Sequence, residues 1–582
     1  MKPVRFSRSV FLVLVIFISA CAFPPSSPTI ANTPAASASE SGNIPALSPD
    51  AVFHNGIILT MDENQPQAQA IAIDGGSILA VGSDSEILAL RDSSTLVVDL
   101  QGMTVTPGLV DSHQHRIGDR SKRNQNEADS VIQLAIEQGW TTLDELFVNQ
   151  ERLNELRALD QEGRLRLRVN AYLPVMDNSP EGRFMGPYYE DYSQGQMVSP
   201  RVRVAGLKVF TDFDNATILF WEQDDLNAFL LKLHQEGWQL AIKTVSSRSL
   251  EMVLKAFEYI ESSDPSVIAS RGRLEHVLFL TADQIARVRH LGLIPSIQTN
   301  MPGEMVGDSS MAALIAREPP GSAFPWRSLV DSEIVFANGS AWPSYYVDEP
   351  TGAPFASPIR LIYQAVTRAG NLGAQPEAWM LDQTITAEEA LRGLTIDAAY
   401  ANFQDDVLGS LTAGKLADMV VLSDNPLSGI TSDINNIKVL MTMIDGEVEY
   451  CAAGFETLCP GIRTPGPIPS QVSEGPQATA FTGGWEGIDP LDGSTLTLSL
   501  VQTENGLTGT YNDTYSPNVE PPGYEGNGSG TTLSSTTAQM TFSLTRWDGK
   551  SAQAQYSLTL SNQNQTLTLG CEVGCPIVLQ RQ

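Results

Sequence analysis

The sequence predicts a multidomain fold in which a (β/α)₈ barrel follows a small antiparallel sheet and precedes a C-terminal all-β domain. The chain has 582 residues, which is too many for one hydrophobic core, so roughly two to four domains are expected. Between Val105 and Gly339, strand-like runs alternate with helical patterns, which indicates a closed TIM-type barrel. Short strands bounded by Gly, Asp and Asn lie on both sides of this region and predict antiparallel β structure.

The N-terminal stretch is typical of an export signal. Residues 1–8 include three basic side chains, residues 10–18 are an apolar run too short to span a membrane, and Ser19-Ala20-Cys21 follows. Ile18 to Cys21 resembles a bacterial lipoprotein box, which implies cleavage before Cys21 and a lipid anchor on that residue. The resemblance also implies the cell envelope, and the outer membrane where one exists, because Ala22 follows. The alternative is an ordinary signal peptide with an incidental Cys.

Residues 22–48 are rich in Pro, Ser, Thr and Ala, and they predict a disordered tether because they carry too little apolar surface to offset the ordering entropy. Four β-rich runs between Ala51 and Leu100 then predict the small sheet. His54 lies in this sheet and is expected to be structural.

The barrel strands are predicted from eight apolar runs. These runs are Val105–Val110, Thr141–Val148, Leu167–Val175, Gly206–Thr211, Gln239–Thr244, Arg273–Leu280, Leu293–Gln298 and Ile334–Gly339. In such a barrel the chemistry lies at the C-terminal ends of the strands. The residues there are His113, His115, Glu145, Lys208, Lys243, His276, Ser340 and Ala341.

His113 and His115 are the strongest candidates for a functional site. They end an apolar strand, and the alternation of side chains puts both imidazoles on one side, where they can bind one metal ion. A histidine at a strand end is often only a hydrogen-bonded polar residue. Two of the six histidines of the chain in one tripeptide favour a metal or catalytic site.

Composition excludes one class of partner. The formal net charge of −31 and the sequence pI near 4.5 argue against binding a nucleic-acid backbone, which requires clustered Lys and Arg. A small-molecule substrate or ligand is the expected partner, together with the membrane through lipidated Cys21.

The last part of the chain is a separate unit. Residues 451–477 read as a linker, and Cys451 and Cys459 bracket a loop that a disulfide can close in an oxidising compartment. Residues 478–582 predict a small antiparallel barrel or sandwich with Trp485 in its core, and a role in binding or as a structural cap. Cys571 and Cys575 are candidates for a second bridge.

Several motifs together resemble one family. They are Thr106 to His115, Gly237 to Ile242, Glu275-His276, Phe324 to Leu329, Gly339-Ser340 before Trp342-Pro343, and the return segment Gly409 to Leu422. In order and spacing they are similar to the amidohydrolase superfamily, in the branch called amidohydrolase 3 or YtcJ-like. The resemblance covers about Ala51 to Tyr450.

The resemblance implies a barrel over residues 106–400 and a composite β-sandwich from residues 49–105 and 401–450. It implies a metal-dependent hydrolase of amide or cyclic amide C–N bonds outside peptides. Carried over residue by residue, the metal ligands would be His113, His115, Lys208 and His276, with Lys208 as the position of a carboxylated lysine. One divalent ion, zinc, is the expected cofactor, because it lowers the pKa of its water and polarises a carbonyl.

Two positions depart from the family pattern. Lys243 stands where the family has a His, and Ala341 stands where it has the Asp that activates water. A protonated Lys cannot ligate a metal and repels a nearby cation, so a second ion of the usual kind is not expected.

Three interpretations follow for the altered site. In the first, one ion remains and another residue activates water, for which Glu145, Asp212 and Asp214 lie near strand ends. In the second, Lys243 occupies the space of the metal, and the pocket binds a small molecule without turnover in an envelope-tethered binding protein. In the third, a desolvated Lys243 is itself the base or nucleophile.

The ligand candidates have structural alternatives as well. Lys208 can be an inward lysine paired with a carboxylate such as Asp212 or Glu145. His276 can be a core histidine.

Overall fold

The computed structural model describes most of the chain between Ser48 and Arg581. The described residues are 48–115, 117, 127–175, 188–212, 219–302, 309–341, 357–370, 375–429, 431–459, 461, 481, 483–488, 495–503, 506–514, 524–532, 537–546, 551–561, 566–570 and 577–581. The predicted signal, the tether up to residue 47, Cys21, Asp214, Cys571 and Cys575 lie outside them.

The strands fall into three regions of the chain. The first region holds β1 Ala51–His54, β2 Ile57–Leu59, β3 Gln67–Ala68, β4 Ala70–Asp74, β5 Ser77–Gly82, β6 Leu96–Asp99 and β7 Thr104–Pro107. The central region holds β8 Leu109–Gln114, β9 Trp140–Leu146, β10 Arg168–Pro174, β11 Met197–Ser199, β12 Val202–Phe210, β13 Leu240–Thr244, β14 Arg273–His276, β15 Ile294–Ile297 and β16 Ala337–Asn338. After the return strand β17 Met419–Leu422 come β18 Val439–Ile444, β19 Glu447–Cys451, β20 Gly483–Ile488, β21 Thr495–Thr503, β22 Gly506–Thr514, β23 Tyr524–Thr532, β24 Thr537–Arg546, β25 Ser551–Ser561, β26 Thr566–Gly570 and β27 Ile577–Arg581.

Helices connect the central strands and cover the barrel. They are α1 Asp84–Leu88, α2 Glu127–Glu137, α3 Gln150–Gln161, α4 Gln223–Gln235, α5 Ser247–Ser263, α6 Ala282–His290, α7 Ser309–Ile315, α8 Trp326–Asp331, α9 Pro358–Thr367, α10 Ala378–Leu381, α11 Ala387–Gly393, α12 Ile396–Ala401 and α13 Thr431–Ile434. Within the described residues, no helix has both the length and the apolar character needed to cross a membrane.

The central strands form the predicted parallel barrel. Their order is β16-β15-β14-β13-β12-β10-β9-β8, with β11 added at the side of β12. The two ends of this sheet meet where the Ala341 amide donates to the carbonyl of His113 at 2.8 Å. The barrel core is apolar and continuous with the helices around it. The prediction of an eight-stranded barrel is therefore confirmed.

The first predicted barrel strand is wrong in its bounds. The run Val105–Val110 is two strands, because the chain leaves one sheet at Pro107 and enters the barrel at Leu109. Gly108 lies between them, and a Cβ there would meet Thr141 Oγ1 at 2.3 Å. Only a residue without a side chain allows this close approach.

Both flanks of the barrel contribute to one further sheet. Its order is β19-β18-β17-β7-β2-β3, so strands from before and after the barrel pair side by side. A second sheet has the order β5-β4-β1-β6. One hydrophobic cluster includes residues of both sheets, among them Phe53, Ile71, Val105 and Met419.

The C-terminal strands β20 to β27 form a closed antiparallel barrel. Of the two forms that the sequence left open, barrel and sandwich, the structure has the barrel. Trp485 is fully buried in its core, and its indole Nε1 donates to the carbonyl of Phe481 at 3.2 Å. Before this barrel, a disulfide joins Cys451 to Cys459.

Candidate active site

Three histidines meet at the C-terminal ends of the barrel strands. His113 and His115 come from the end of β8, and His276 comes from the end of β14. The ring of His113 lies 5.4 Å from that of His115 and 4.6 Å from that of His276, measured between centroids. The structure therefore brings together three of the four ligand candidates at one place.

This spacing can be compared with what a shared metal ion requires. A zinc–nitrogen bond of about 2.0–2.1 Å and tetrahedral angles place two ligating imidazole centroids about 5 Å apart. The two distances from His113 agree with that value. Each of these two ring pairs thus has the spacing of two ligands on one divalent ion.

The hydrogen bonding and protonation of His113 are also those expected of a metal-binding histidine. Its Nδ1 contacts Glu275 Oε2 at 2.6 Å, whereas its Nε2 is buried and has no hydrogen-bond partner among the described residues. A metal-binding histidine has this pattern, in which a carboxylate holds one nitrogen and leaves a lone pair on the other. Burial, helped by the nearby Lys208 ammonium, lowers the pKa of His113 to about 4, so the ring is neutral at neutral pH.

His115 and His276 are neutral for related reasons. Burial, with the positive potential of neighbouring groups, lowers the pKa of both rings well below the ordinary value. His276 Nδ1 lies 3.1 Å from Gln298 Oε1. Neutral imidazoles are the form that binds a metal ion.

Two lysines lie beside the histidines. Lys208 is buried on β12, and its Nζ lies 5.4 Å from the centroid of the Phe210 ring. Lys243, on β13, places its Nζ 5.8 Å from the centroid of the same ring. Both ammonium groups lower the pKa of His115 and His276, which confirms that they act on the same small volume.

Two ring distances and the free Nε2 of His113 favour a bound ion, but the described side chains do not complete a metal site. Across the described ranges, no set of three or more His, Cys, Asp and Glu side chains is arranged to hold a metal ion. Lys243 adds no ligand of its own while it is protonated, because an ammonium group has no lone pair with which to bind a metal ion.

Ala341 follows β16 and offers no carboxylate to the site. Its backbone is in the left-handed region, with φ of 50°. On β8, the first strand of the barrel, the carboxylate of Asp111 already has hydrogen-bond donors. It accepts from the amide and the hydroxyl of Ser340 at 2.8 and 2.6 Å. The residues next to Ala341 thus hold β16 against β8.

Glu145 is buried beside the loop that follows β8. Its carboxylate accepts from the amide of Ile117 at 2.6 Å, so it holds the loop after β8. The side chain that faces the barrel interior from β9 is the preceding residue, Asp144, which contacts Arg273 and Asn170. Side chains alternate along a strand, so Asp144 and Glu145 point to opposite faces of β9.

Asp212 has a structural position as well. Its carboxylate accepts from the amides of Val245 and Ser246 at 3.2 and 2.9 Å and from the Ser246 hydroxyl at 3.0 Å. These donors lie between β13 and α5, where Ser246 is the N-cap. Asp212 therefore fixes the turn that follows Lys243.

Sequence reasoning missed a buried polar network below the histidines. Arg273 Nε donates to Glu275 Oε1 at 2.9 Å, and Arg273 Nη1 donates to Asp144 Oδ2 at 2.7 Å and to the Tyr172 hydroxyl at 2.8 Å. Arg273, Glu275 and Asp144 are 0% exposed. The signal was available, because charged residues two apart on a predicted inner strand must share a face inside the barrel.

Residues with positive φ lie at three of these strand ends. Phe147 has φ of 79°, His276 of 74° and Ala341 of 50°. Such conformations are strained for residues other than glycine and concentrate at functional sites.

The comparisons with known proteins agree with this geometry. Residues 138–450 match the amidohydrolase family. The chain is 21% identical to the putative amidohydrolase YtcJ of Bacillus subtilis strain 168, over 69% of this chain and 99% of that protein. It is 29% identical to an N-substituted formamide deformylase of Arthrobacter pascens, over 40% of this chain and 41% of that protein.

A solved structure shows the same fold. It is an uncharacterized metal-dependent hydrolase from Pyrococcus horikoshii OT3, with a TM-score of 0.52 and 18% identity over 66% of this chain and 99% of that one. The family match spans more than half of the chain and contains most of the barrel. The chain therefore belongs to the amidohydrolase family, which confirms the prediction of a hydrolase.

Proposed function

We propose that the protein hydrolyses non-peptide C–N bonds of amides or cyclic amides at a centre with one divalent ion, zinc. His113, His115 and His276 would hold the ion, with Lys208 beside them. The proposal rests on the buried Nε2 of His113, which has no hydrogen-bond partner in the described part of the chain and lies among neutral imidazoles. When bound, such an ion lowers the pKa of water and polarises the scissile carbonyl.

The two lysines supply the positive charge that amide hydrolysis needs. An amide oxygen becomes negative as water adds to the carbonyl, and ammonium groups at the Phe210 ring can donate hydrogen bonds to it. Lys243 can also give a proton to the leaving nitrogen. A carboxylated Lys208, which the family resemblance implies, would replace one ammonium group by an oxygen ligand.

The substrate class rests on chemistry and on one relative. The relative from Arthrobacter pascens is an N-substituted formamide deformylase, so an N-substituted amide is the first class to test. In barrels of this kind the loops determine which substrate is accepted, and they vary while the strands stay the same. Cyclic amides should therefore be screened together with N-substituted amides.

A second candidate is a small-molecule binding protein without turnover. Ala341 favours it, because the residue after β16 carries no carboxylate to accept a proton from water. In that case Lys208 and Lys243 would bind an anionic or carbonyl group of the ligand.

A substrate screen with matched variants separates the two functions. The full chain is incubated with N-substituted formamides and five-membered cyclic amides, and product amine or acid is measured. The hydrolase predicts turnover that falls at least about 100-fold in His113→Asn and Lys243→Met. The exposed His290 provides the control His290→Asn, which should keep wild-type turnover. Saturable binding of the same compounds without product would overturn the hydrolase and support the binding protein.

We also propose that the protein is exported and anchored in the cell envelope through lipidated Cys21. The support is the order of basic residues, apolar run and Cys in the sequence. Mass spectrometry of the N-terminal peptide should find a diacylglyceryl modification on Cys21, and Cys21→Ser should release the protein from membranes. An unmodified N-terminus at another residue would contradict the anchor.

A further inference from the structure

We infer that Arg273 and Glu275 are positioning residues that hold the His113 ring with its Nε2 lone pair directed into the site. The inference rests on the proposed function, since that lone pair is what a metal ion or a reacting water would use. The buried charges of Arg273 and Glu275 would then have a function in the site.

The contacts form a chain of fixed groups. Arg273 Nε donates to Glu275 Oε1 at 2.9 Å, and Glu275 Oε2 contacts His113 Nδ1 at 2.6 Å. Because one carboxylate oxygen is bound to Arg273, the other accepts from His113, so the ring proton lies on Nδ1. Nε2 is then left with its lone pair, and none of the residues that the structure describes is its hydrogen-bond partner.

Arg273 is itself held on several sides. It donates to Asp144 Oδ2 at 2.7 Å, to the Tyr172 hydroxyl at 2.8 Å and to Asn402 Oδ1 at 3.1 Å. A further donor, Nη2, contacts the carbonyl of Ser112, the residue before His113. The guanidinium therefore links the backbone of β8 to β9, β10 and β14, and it fixes both the strand and the ring of His113.

The charge of Glu275 is maintained by the same contacts. Arg273 Nε and Glu275 Oε1 form a fully buried ion pair at 2.9 Å, and this pairing keeps the carboxyl group ionised. A neutral residue of the same shape would behave differently. In Glu275→Gln, the amide oxygen faces Arg273 and the NH₂ group faces His113, so His113 must accept at Nδ1 and carry its proton on Nε2.

The direct test is the tautomer of His113 in the metal-free protein. The full chain is labelled with ¹⁵N-histidine, and the ring signal of His113 is assigned by its loss in His113→Asn. Long-range ¹H–¹⁵N spectra should show the proton on Nδ1 in the wild type and on Nε2 in Glu275→Gln. A wild-type ring with its proton on Nε2 would overturn the inference without any variant.

Zinc affinity provides the second readout, measured by competition with a chelator. Loss of a partner that orients a ligand commonly lowers metal affinity about 10–100-fold, and we expect this of Glu275→Gln. Asp144→Asn, which contacts Arg273 but not His113, should cause a smaller loss in the same direction.

The matched control is Glu449→Gln. Glu449 is 3% exposed on β19 and has Arg166 at 3.6 Å, so it is another buried glutamate beside an arginine. The Glu449→Gln variant should have a zinc affinity within about twofold of the wild type. Equal losses in Glu449→Gln and Glu275→Gln would show a general packing effect and overturn the inference. If the wild type binds no zinc, the proposed metal centre fails, whereas the tautomer still decides the role of Glu275.

Discussion

Glu145 shows how burial of a single carboxyl group makes stability depend on pH. Burial raises the pKa of Glu145 to about 7 from the ordinary 4.5. The folded protein therefore binds this proton more tightly than the unfolded chain does. Stability is full below about pH 4.5 and falls as the pH rises towards 7, because ionising the buried group costs free energy.

Glu145→Gln removes this loss while keeping an oxygen that accepts from Ile117. We expect the variant and the wild type to be equally stable near pH 4.5, and the variant to be more stable by about 3 kcal/mol at pH 8. Urea unfolding of both proteins from pH 4.5 to 8 measures the difference. A difference that does not change with pH would contradict the assigned pKa.

Lys243 and Ala341, where the resemblance implies a His and an Asp, allow a further prediction. The double variant Lys243→His, Ala341→Asp replaces an ammonium group by a ligand and restores a carboxylate. Asp tolerates the left-handed backbone of Ala341, where φ is 50°. We expect elemental analysis to find a second equivalent of metal, which neither single variant should bind. One equivalent in the double variant would show that other residues exclude the second ion.

The sequence predicted part of the site well and part of it poorly. His113 and His115 were predicted because a strand with alternating side chains needs no tertiary information to put both on one side. Which of Asp144 and Glu145 faces the barrel interior depends on the bounds of β9, and a sequence does not fix those bounds to one position. The role of Arg273 was missed, since its partners Ser112 and Asp144 are far away in the chain.

At the scale of elements, the contact between the first and last barrel strands depends on Gly339. A Cβ at this position would meet the backbone nitrogen of His113 at 2.5 Å, and backbone cannot move aside as a flexible side chain can. We expect Gly339→Ala to lower the free energy of unfolding by about 1–3 kcal/mol and to weaken zinc binding, because it displaces His113.

Gly82→Ala is the matched control for that change. The added Cβ would meet the end of the flexible Glu86 side chain at 3.0 Å. Gly82→Ala should therefore lower the free energy of unfolding less than Gly339→Ala does, and it should leave zinc binding unchanged. Urea unfolding and chelator competition measure both effects. Equal zinc affinity in Gly339→Ala and the wild type would show that closure of the barrel does not position His113.

The strands of the barrel were easier to predict than those of the C-terminal domain. Barrel strands are buried on both faces and appear as apolar runs. The strand β23, in contrast, contains Gly526, Gly528 and Gly530, and this sequence is typical of a loop. It forms because neighbouring strands on both sides provide hydrogen bonds, which no local pattern reveals.

At the scale of the whole molecule, the C-terminal barrel has a hydrophobic cluster of its own. This cluster includes Phe481, Trp485, Phe542 and Leu558. All of its residues lie between positions 481 and 579, far along the chain from the three histidines. We expect Trp485→Ala to lower the free energy of unfolding of this barrel by about 3–5 kcal/mol. Calorimetry should show one transition at lower temperature, and the zinc content should stay that of the wild type. Loss of zinc in Trp485→Ala would contradict this division of the molecule.

Metal content shows directly whether His113, His115 and His276 hold one divalent ion. The full chain is extracted in detergent, purified without chelators and measured by elemental analysis, with His290→Asn as the control histidine variant. We predict about one equivalent of zinc in the wild type and in the control, and its loss in His113→Ala and His115→Ala. A folded wild-type protein without bound metal, or zinc that persists in His113→Ala, would contradict the account.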